Sequence, residues 1–323
     1  MSEVKKKRAL VIDGTNNFYR SYIVDPSLSS NGAPIGGVKG FVKILQKLCR
    51  ETKPDEIVIC WDGAGGSKRR QNMSKGYKAG RKPLRLNRTD RVLTEAEETE
   101  NKIWQQMRLI EYLNEMPVIN LYHDSIEADD IISLAVQHRK YAGWSKIIVS
   151  SDKDFYQLCD DETVVLRPIQ KEILNKPRII EQFGIHPRNF ALARAIAGDK
   201  SDNLPGIAGV GLSTVAKRFP FLREDKDFYV EDLVRFCEQV EKPLKVHEGI
   251  LEENSIIESN YRIMQLASPL IPVQTSKKIK YNLENFVPMF NKSGVDVMMI
   301  KDGFGALDTS ELYSTFRRIC VDT

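Results

Sequence analysis

Nine acidic residues of this 323-residue chain stand where chemistry could be done: Asp13, Asp62, Glu127, Asp129, Asp130, Asp152, Asp154, Asp199 and Asp202. Three short apolar runs stop at or just before such an acid. Ala9-Leu10-Val11-Ile12 ends at Asp13, Ile57-Val58-Ile59-Cys60-Trp61 ends at Asp62, and Ile147-Ile148-Val149 with two serines ends at Asp152. The others come in groups: Glu127 and Asp130 at i, i+3, Asp152 and Asp154 at i, i+2, Asp199 and Asp202 at i, i+3. A lone Asp after a strand is ordinarily a turn residue or helix cap, and Asp129 and Asp130 at a helix start would complement its dipole. Five groups together are harder to assign to capping. Two carboxylates about 4 Å apart repel by roughly 4 kcal/mol at an effective dielectric near 20, so nine in one crevice need strong counter-charge. An oxygen-only, histidine-free donor set suits Mg²⁺, with Mn²⁺ as a substitute. Without the nine, 48 Lys and Arg face 35 acids, a surplus of +13 hidden behind a net charge of +4.

The elements that must position these acids follow from patterning. β-branched runs separated by longer helix-like stretches read as buried parallel strands of an α/β fold, with Val118–Leu121 and Val164–Leu166 as further strands. Ligands of such sheets bind beyond the carboxyl ends of the strands, where the three strand-end acids would meet. Helices are expected over Gly37–Thr52, Glu95–Glu115 and Glu127–Tyr141, with Ile103, Met107 and Ile110 as the buried stripe of the second. Gly63–Leu93 breaks the alternation as a glycine-containing basic insertion, expected to project from the sheet. From about Ile185 the pattern turns mostly helical, giving a domain over 1–184 and a smaller helical one over 185–323. Five scattered cysteines without CxxC spacing point to a reducing compartment. No apolar run approaches the roughly 18 residues of a membrane span, and the charged start lacks a secretory core.

Cations are concentrated too. From Ser67 to Arg91 there are ten Lys or Arg and one acid. Charge runs are commonly just solvated loops, but this one carries Tyr77 beside Lys78 and follows the strand ending at Asp62, so charge and stacking could hold a nucleic-acid strand at the crevice mouth. Arg20, one helical step past Asp13, is a candidate phosphate clamp. Gly206-Ile207-Ala208-Gly209-Val210-Gly211 reads as a glycine-rich hairpin between helices, with Lys217 and Arg218 beyond it. Its backbone would approach phosphates without reading bases, so binding should be salt-dependent and indifferent to sequence. Competing motifs fail: Asp152–Gln157 lacks the calcium-loop glycine, Thr15 replaces the second aspartate of a haloacid-dehalogenase-type phosphatase, and no P-loop is present.

The stretches Val11–Asn16, Trp61-Asp62, Tyr77–Arg81, Glu127–Asp130, Ser151–Asp154 and Gly198–Gly211, in that order, resemble the 5′ nucleases: the 5′→3′ exonuclease domain of bacterial DNA polymerase I and the stand-alone bacteriophage 5′→3′ exonucleases and flap endonucleases. The resemblance spans roughly residues 9 to 220. It implies a PIN-like 5′ nuclease fold with a mostly parallel sheet, a helical arch at about 63–107 and a helix–three-turn–helix at about 198–220. It further implies that Asp13, Asp62, Glu127, Asp129, Asp130 and Asp152 serve one metal site and Asp154, Asp199 and Asp202 a second. Lys78 and Arg81 would be catalytic cations on the arch, and Arg20 a phosphate contact. Arg69 or Arg70 would fill the family's arginine position, because the segment 67–76 is about one residue longer than in the polymerase-type relatives. Tyr77, Gly206, Gly209, Gly211 and Lys217 complete the nucleic-acid contacts, with K⁺ at the three-turn motif.

The activity implied is metal-dependent hydrolysis at 5′ ends and flaps of DNA or RNA–DNA hybrids, for primer removal in replication and repair, by a cytoplasmic monomer without a polymerase domain. The tail from Arg223 to Thr323 is open to two roles, buttressing the helical part or docking a replication protein. Two other readings compete. One is a non-catalytic structure-specific DNA-binding protein, opposed by the intact carboxylates. The other is a PIN-like nuclease of single-stranded RNA, opposed by the glycine hairpin.

Overall fold

The computed structural model describes residues 6–80 and 93–321. Six strands form one sheet: β1 (Arg8–Asp13), β2 (Glu56–Trp61), β3 (Ile119–Tyr122), β4 (Ser145–Val149), β5 (Thr163–Arg167) and β6 (Glu172–Leu174), in the order β3-β2-β1-β4-β5-β6. All neighbours are parallel except β5 and β6. Alternate residues of each strand enter opposite cores: Ala9 and Val11 face one side, Leu10 and Ile12 the other. Burial on both faces is why these strands are uninterrupted apolar runs.

One face is covered by α1 (Gly14–Val24), α2 (Gly36–Thr52) and α4 (Glu95–Asn114), which bury Phe18, Phe41 and Leu109. A short α3 (Lys68–Met73) lies between β2 and α4. The other face is covered by α5 (Ala128–Val136), α6 (Lys176–Phe183) and α7 (Phe190–Ala197). That core runs on into α8 (Leu212–Arg218), α9 (Val230–Glu238), α10 (Lys245–Glu252), α11 (Asn254–Met264) and α12 (Val273–Asn285). The chain then returns to the first face through α13 (Lys292–Lys301) and α14 (Ser310–Val321), whose Leu312, Phe316 and Ile319 join the core under α2. Arg318 ties α14 to Asp55 at 3.1 Å, and Arg108 of α4 reaches Asp302 at 2.6 Å.

Several expectations need correcting. The tail joins both cores: α9 to α12 extend that of α7 and α8, and α13 and α14 enter that on the α2 side of the sheet. On α4, Ile103 and Met107 are 51 % and 62 % exposed, and the buried face carries Gln105, Leu109, Tyr112 and Leu113 instead. The cause is Gln105: its Oε1 accepts from Gly37 and Val38 at the uncapped start of α2, and its Nε2 donates to Pro34. A polar partner, not the apolar stripe, sets the rotation. The helix expected over Glu127–Tyr141 stops at Val136, because His138 turns extended and caps a short 3₁₀ turn at Arg139–Tyr141. Finally, the described part of the basic insertion does not simply project: Tyr77 is buried with Leu204, Ile263 and Met264.

Candidate active site

The strand order reverses between β1 and β4, each of which connects onward on its own side, and this switch point is where α/β sheets bind ligands. Asp13 closes β1 and caps α1: its Oδ1 accepts from the Asn16 amide at 2.9 Å and its Oδ2 from the Ser150 hydroxyl at 2.9 Å. Asp62 follows β2 and accepts from the Ala128 amide at 2.8 Å, which bridges β2 to the start of α5. Asp152 follows β4 and accepts from the Asp154 amide at 2.8 Å. Each strand-end acid is therefore a turn or cap residue and a site residue at once. Asp13, Asp62, Asp129 and Asp152 line one cavity of about 450 Å³, together with Lys78, Arg20, Tyr19 and Ile169.

The cavity is only partly compensated, four carboxylates facing the two cations Lys78 and Arg20. Burial, with further repulsion from Asp62 and Asp152, pushes the Asp13 carboxyl up to about 7 despite its hydrogen bonds. Burial and then Asp152 drive Asp129 well above the usual carboxylate range, and no described group donates a hydrogen bond to it. In the same cavity, the Arg20 Nη1 is buried without a partner, and desolvation lowers the guanidinium's pKa. A cavity holding unsatisfied carboxylates and an unsatisfied guanidinium is arranged for cations and an anion together. Among the described residues no three acidic side chains form a closed metal site; the four carboxylates share a cavity rather than a point.

The remaining predicted residues sit elsewhere. Glu127 and Asp130 turn away to Arg70, which is 3 % exposed and lies 2.6 Å from both. Arg70 also donates to the Ile263 carbonyl, and Asp130 accepts from the Leu270 amide. Arg70 is thus an internal strut rather than a surface contact, whereas Arg69 is exposed. Glu127 also takes Lys78 Nζ at 2.5 Å and the Tyr77 hydroxyl at 3.3 Å. Burial would raise the Glu127 pKa, but Lys78 and Arg70 hold it below the usual range. Tyr77 is 3 % exposed, so as placed it offers no stacking face. Lys78 adopts a left-handed backbone (φ 56°) with its amide on the Asp202 carbonyl at 2.9 Å, a conformation that costs about 1 kcal/mol in a residue other than glycine. Arg81 lies outside the described residues.

Asp154 and Asp199 are bridged by Arg194 of α7. Burial and Asp152 still push Asp154 up to about 7 against that pairing. Asp199 further accepts from Ser201, whose amide is 2.7 Å away. The Asp202 carbonyl accepts from the Lys78 amide, and its charge raises the pKa of Tyr77 and Lys78. In the glycine hairpin, Gly198 (φ 73°) and Gly206 touch so closely that a Cβ on Gly198 would stand 2.3 Å from the Gly206 nitrogen. Gly209 and Gly211 instead face open space, and Lys217 is exposed beyond them.

Residues 8–184 match the family described as 5′-3′ exonuclease, N-terminal resolvase-like domain. The chain belongs to the 5′-3′ exonuclease family. A 5′-3′ exonuclease of Buchnera aphidicola subsp. Schizaphis graminum is 31 % identical over 216 residues, 66 % of this chain and 70 % of that one. DNA polymerase I of Bacillus subtilis is 26 % identical over 308 residues, 93 % of this chain but 32 % of the polymerase. The fold is that of T5 5′-exonuclease, solved with zinc ions bound: TM-score 0.69 at 16 % identity, covering 87 % of this chain and 99 % of that one. As a member of this 5′-3′ exonuclease family, the chain is a nuclease.

Three groups around these acids carry no signal of their own in the sequence. Arg194, five residues before Asp199 on a helix, carries no signal separating it from any solvated arginine. Ser150, which orients Asp13, was visible only as one of two serines after β4. Ile169, from the β5–β6 turn, lines the cavity by tertiary placement alone.

Proposed function

We propose that this chain is a divalent-metal-dependent, structure-specific 5′ nuclease acting at 5′ ends and flaps of duplex DNA or RNA–DNA hybrids, in primer removal during replication and repair. The observation that carries this reading is the switch-point cavity lined by four carboxylates together with Lys78 and Arg20, whose buried Nη1 has no partner. The donor set fits hard divalent ions, being all oxygen, and the field of Lys78 does not offset the burial and carboxylate repulsion at Asp129. Asp13, Asp62, Asp129 and Asp152 would hold Mg²⁺ or Mn²⁺ there. Such ions, when bound, polarise the phosphodiester and lower the pKa of a water.

The chain's own residues do the rest. Asn16 and Ser150 fix the Asp13 carboxylate, and Asp62 fixes the start of α5 from which Asp129 projects. Arg20 offers its unpaired Nη1 to a phosphate oxygen. Lys78, held by Glu127, keeps positive charge at the cavity edge where negative charge grows on the phosphate; burial would lower its pKa, but Glu127 and Asp129 raise it, so it stays protonated. Glu127 and Asp130 act through Arg70 by locking the arch base to α5. Asp154, Asp199 and Asp202 would hold the proposed second ion; Arg194 neutralises Asp154 and Asp199. The open Gly209–Gly211 turn, with Lys217 and Arg69, supports duplex DNA, and K⁺ is the ion proposed for the turn. Residues 1–184 are read as the catalytic part and the helices from 185 as the DNA-holding part, in a cytoplasmic monomer as in bacterial or phage-infected cells.

The test is cleavage of a 5′-labelled flap duplex with Mg²⁺ or with chelator, alongside an RNA–DNA hybrid and single-stranded RNA. Mg²⁺-dependent release of the flap by the parent, lost in Asp129→Ala while duplex binding persists, supports the proposal. Equal cleavage by Asp129→Ala removes the metal assignment. Binding without cleavage under any metal favours the non-catalytic reading, and preference for single-stranded RNA the other.

A further inference from the structure

A second cavity, of about 750 Å³, opens at the opposite end of α5 from the acids. Asp129 and Asp130 sit in the first turn of α5, whereas the cavity takes Leu134 and the Gln137–Arg139 segment at its end. The nine residues of α5 span about 13 Å. Its other wall is α12. The lining is of two kinds: apolar surface from Leu134, Ala267, Pro269 and Tyr281, and a rim of Arg139, Lys277 and Lys280. Its acid, Glu284, is already taken by Arg139 at 2.9 Å, with His138 Nε2 at 3.4 Å. Lys277 and Lys280 have no ion-pair partner among the described residues and are exposed, as is Lys278 one step round the helix. Tyr281 is 64 % exposed and also lines a neighbouring cavity of about 380 Å³ that holds Phe286, Val287 and Met289. Val287 and Met289 are more than two-thirds exposed.

We propose that this groove along α12 docks an acidic segment of a partner protein that also carries apolar or aromatic side chains. Its carboxylates meet Lys277, Lys278 and Lys280, and its apolar side chains enter on either side of Tyr281. The charge surplus alone would suit any polyanion. A nucleic-acid strand, however, would leave Leu134, Pro269, Val287 and Met289 uncovered, and Tyr281 alone gives it one ring to stack on. Apolar surface rimmed by unpaired cations is matched on both counts by an acidic, apolar peptide. The thirteen residues of α12, about 20 Å long, give room for an extended segment rather than a single small anion.

Fluorescence anisotropy on the full chain tests this, with a fluorescein-labelled acidic decapeptide bearing a central phenylalanine as the probe. Saturable binding is expected, with a dissociation constant on the order of micromolar. Serine in place of the phenylalanine, the Lys277→Glu/Lys280→Glu double variant and Tyr281→Ala should each weaken it by about tenfold or more, with melting temperature unchanged. No saturation by about 1 mM peptide, or equal binding by the double variant, overturns the proposal. So does a thymidine oligonucleotide that displaces the peptide and itself loses affinity in the double variant, which would make the groove a nucleic-acid site.

Discussion

Arg70 concentrates more of the site's energetics than any other single side chain. Its guanidinium neutralises Glu127 and Asp130, all three being buried. Removing one partner of such a cluster leaves an uncompensated buried charge, which costs about 3–5 kcal/mol. Arg70→Met is therefore expected to lose about that much in urea unfolding, with the Lys78 arch base loosened and cleavage reduced. A loss below about 1 kcal/mol would show the cluster to be slack. A second prediction concerns protons. Asp13 and Asp154 stand at about 7 against an ordinary 3.8. At these two groups the folded state binds more protons than the unfolded state between those limits, so their contribution to metal-free stability should fall as pH rises from about 4 to about 7, while the four histidines, lowered by burial, contribute with the opposite sign. Melting in chelator of the parent against Asp13→Asn/Asp154→Asn across that range isolates the two carboxyls, and a difference between them that does not change with pH would contradict the prediction. The residue types of the site were legible in sequence because acids at strand ends are rare punctuation. Their individual roles were not, because whether Asp130 faces a cavity or an arginine depends on contacts from residues sixty to 140 positions away.

Elements were readable where burial is two-sided and opaque where a partner decides. The strands β1, β2 and β4 are apolar without interruption and end at acids, so both their existence and their functional ends could be read. β6 has three residues and only edge burial, too little pattern to detect. α4 was found but turned wrongly, because Gln105 caps α2 and drags the buried face with it. Arg69 and Arg70 are adjacent on α3, and only the fold decides which points inward. The Gly198–Gly206 contact belongs to this scale. A Cβ at 2.3 Å, in a left-handed backbone, leaves nowhere for a side chain. Gly198→Ala should destabilise by about 1–3 kcal/mol and weaken duplex binding by disordering the loop that carries Asp199 and Asp202. Calorimetry and a binding titration check this, and a variant indistinguishable from the parent would contradict the packing described.

Across the whole molecule, one sheet presents its switch point to a cavity, two cores hold the sheet on both faces, and α13 and α14 brace it from behind. Packing of this kind fixes acids against their own repulsion, and bound ions should then return stability in proportion to the charge they neutralise. The direct measurement is titration calorimetry of Mg²⁺ into the chain without nucleic acid, paired with the Asp129→Asn/Asp152→Asn variant and with melting at about pH 8. Saturable Mg²⁺ binding that raises the parent's melting temperature and is lost in the variant is the predicted result. Binding and stabilisation undiminished in the variant would contradict the assignment of this cavity as the metal site.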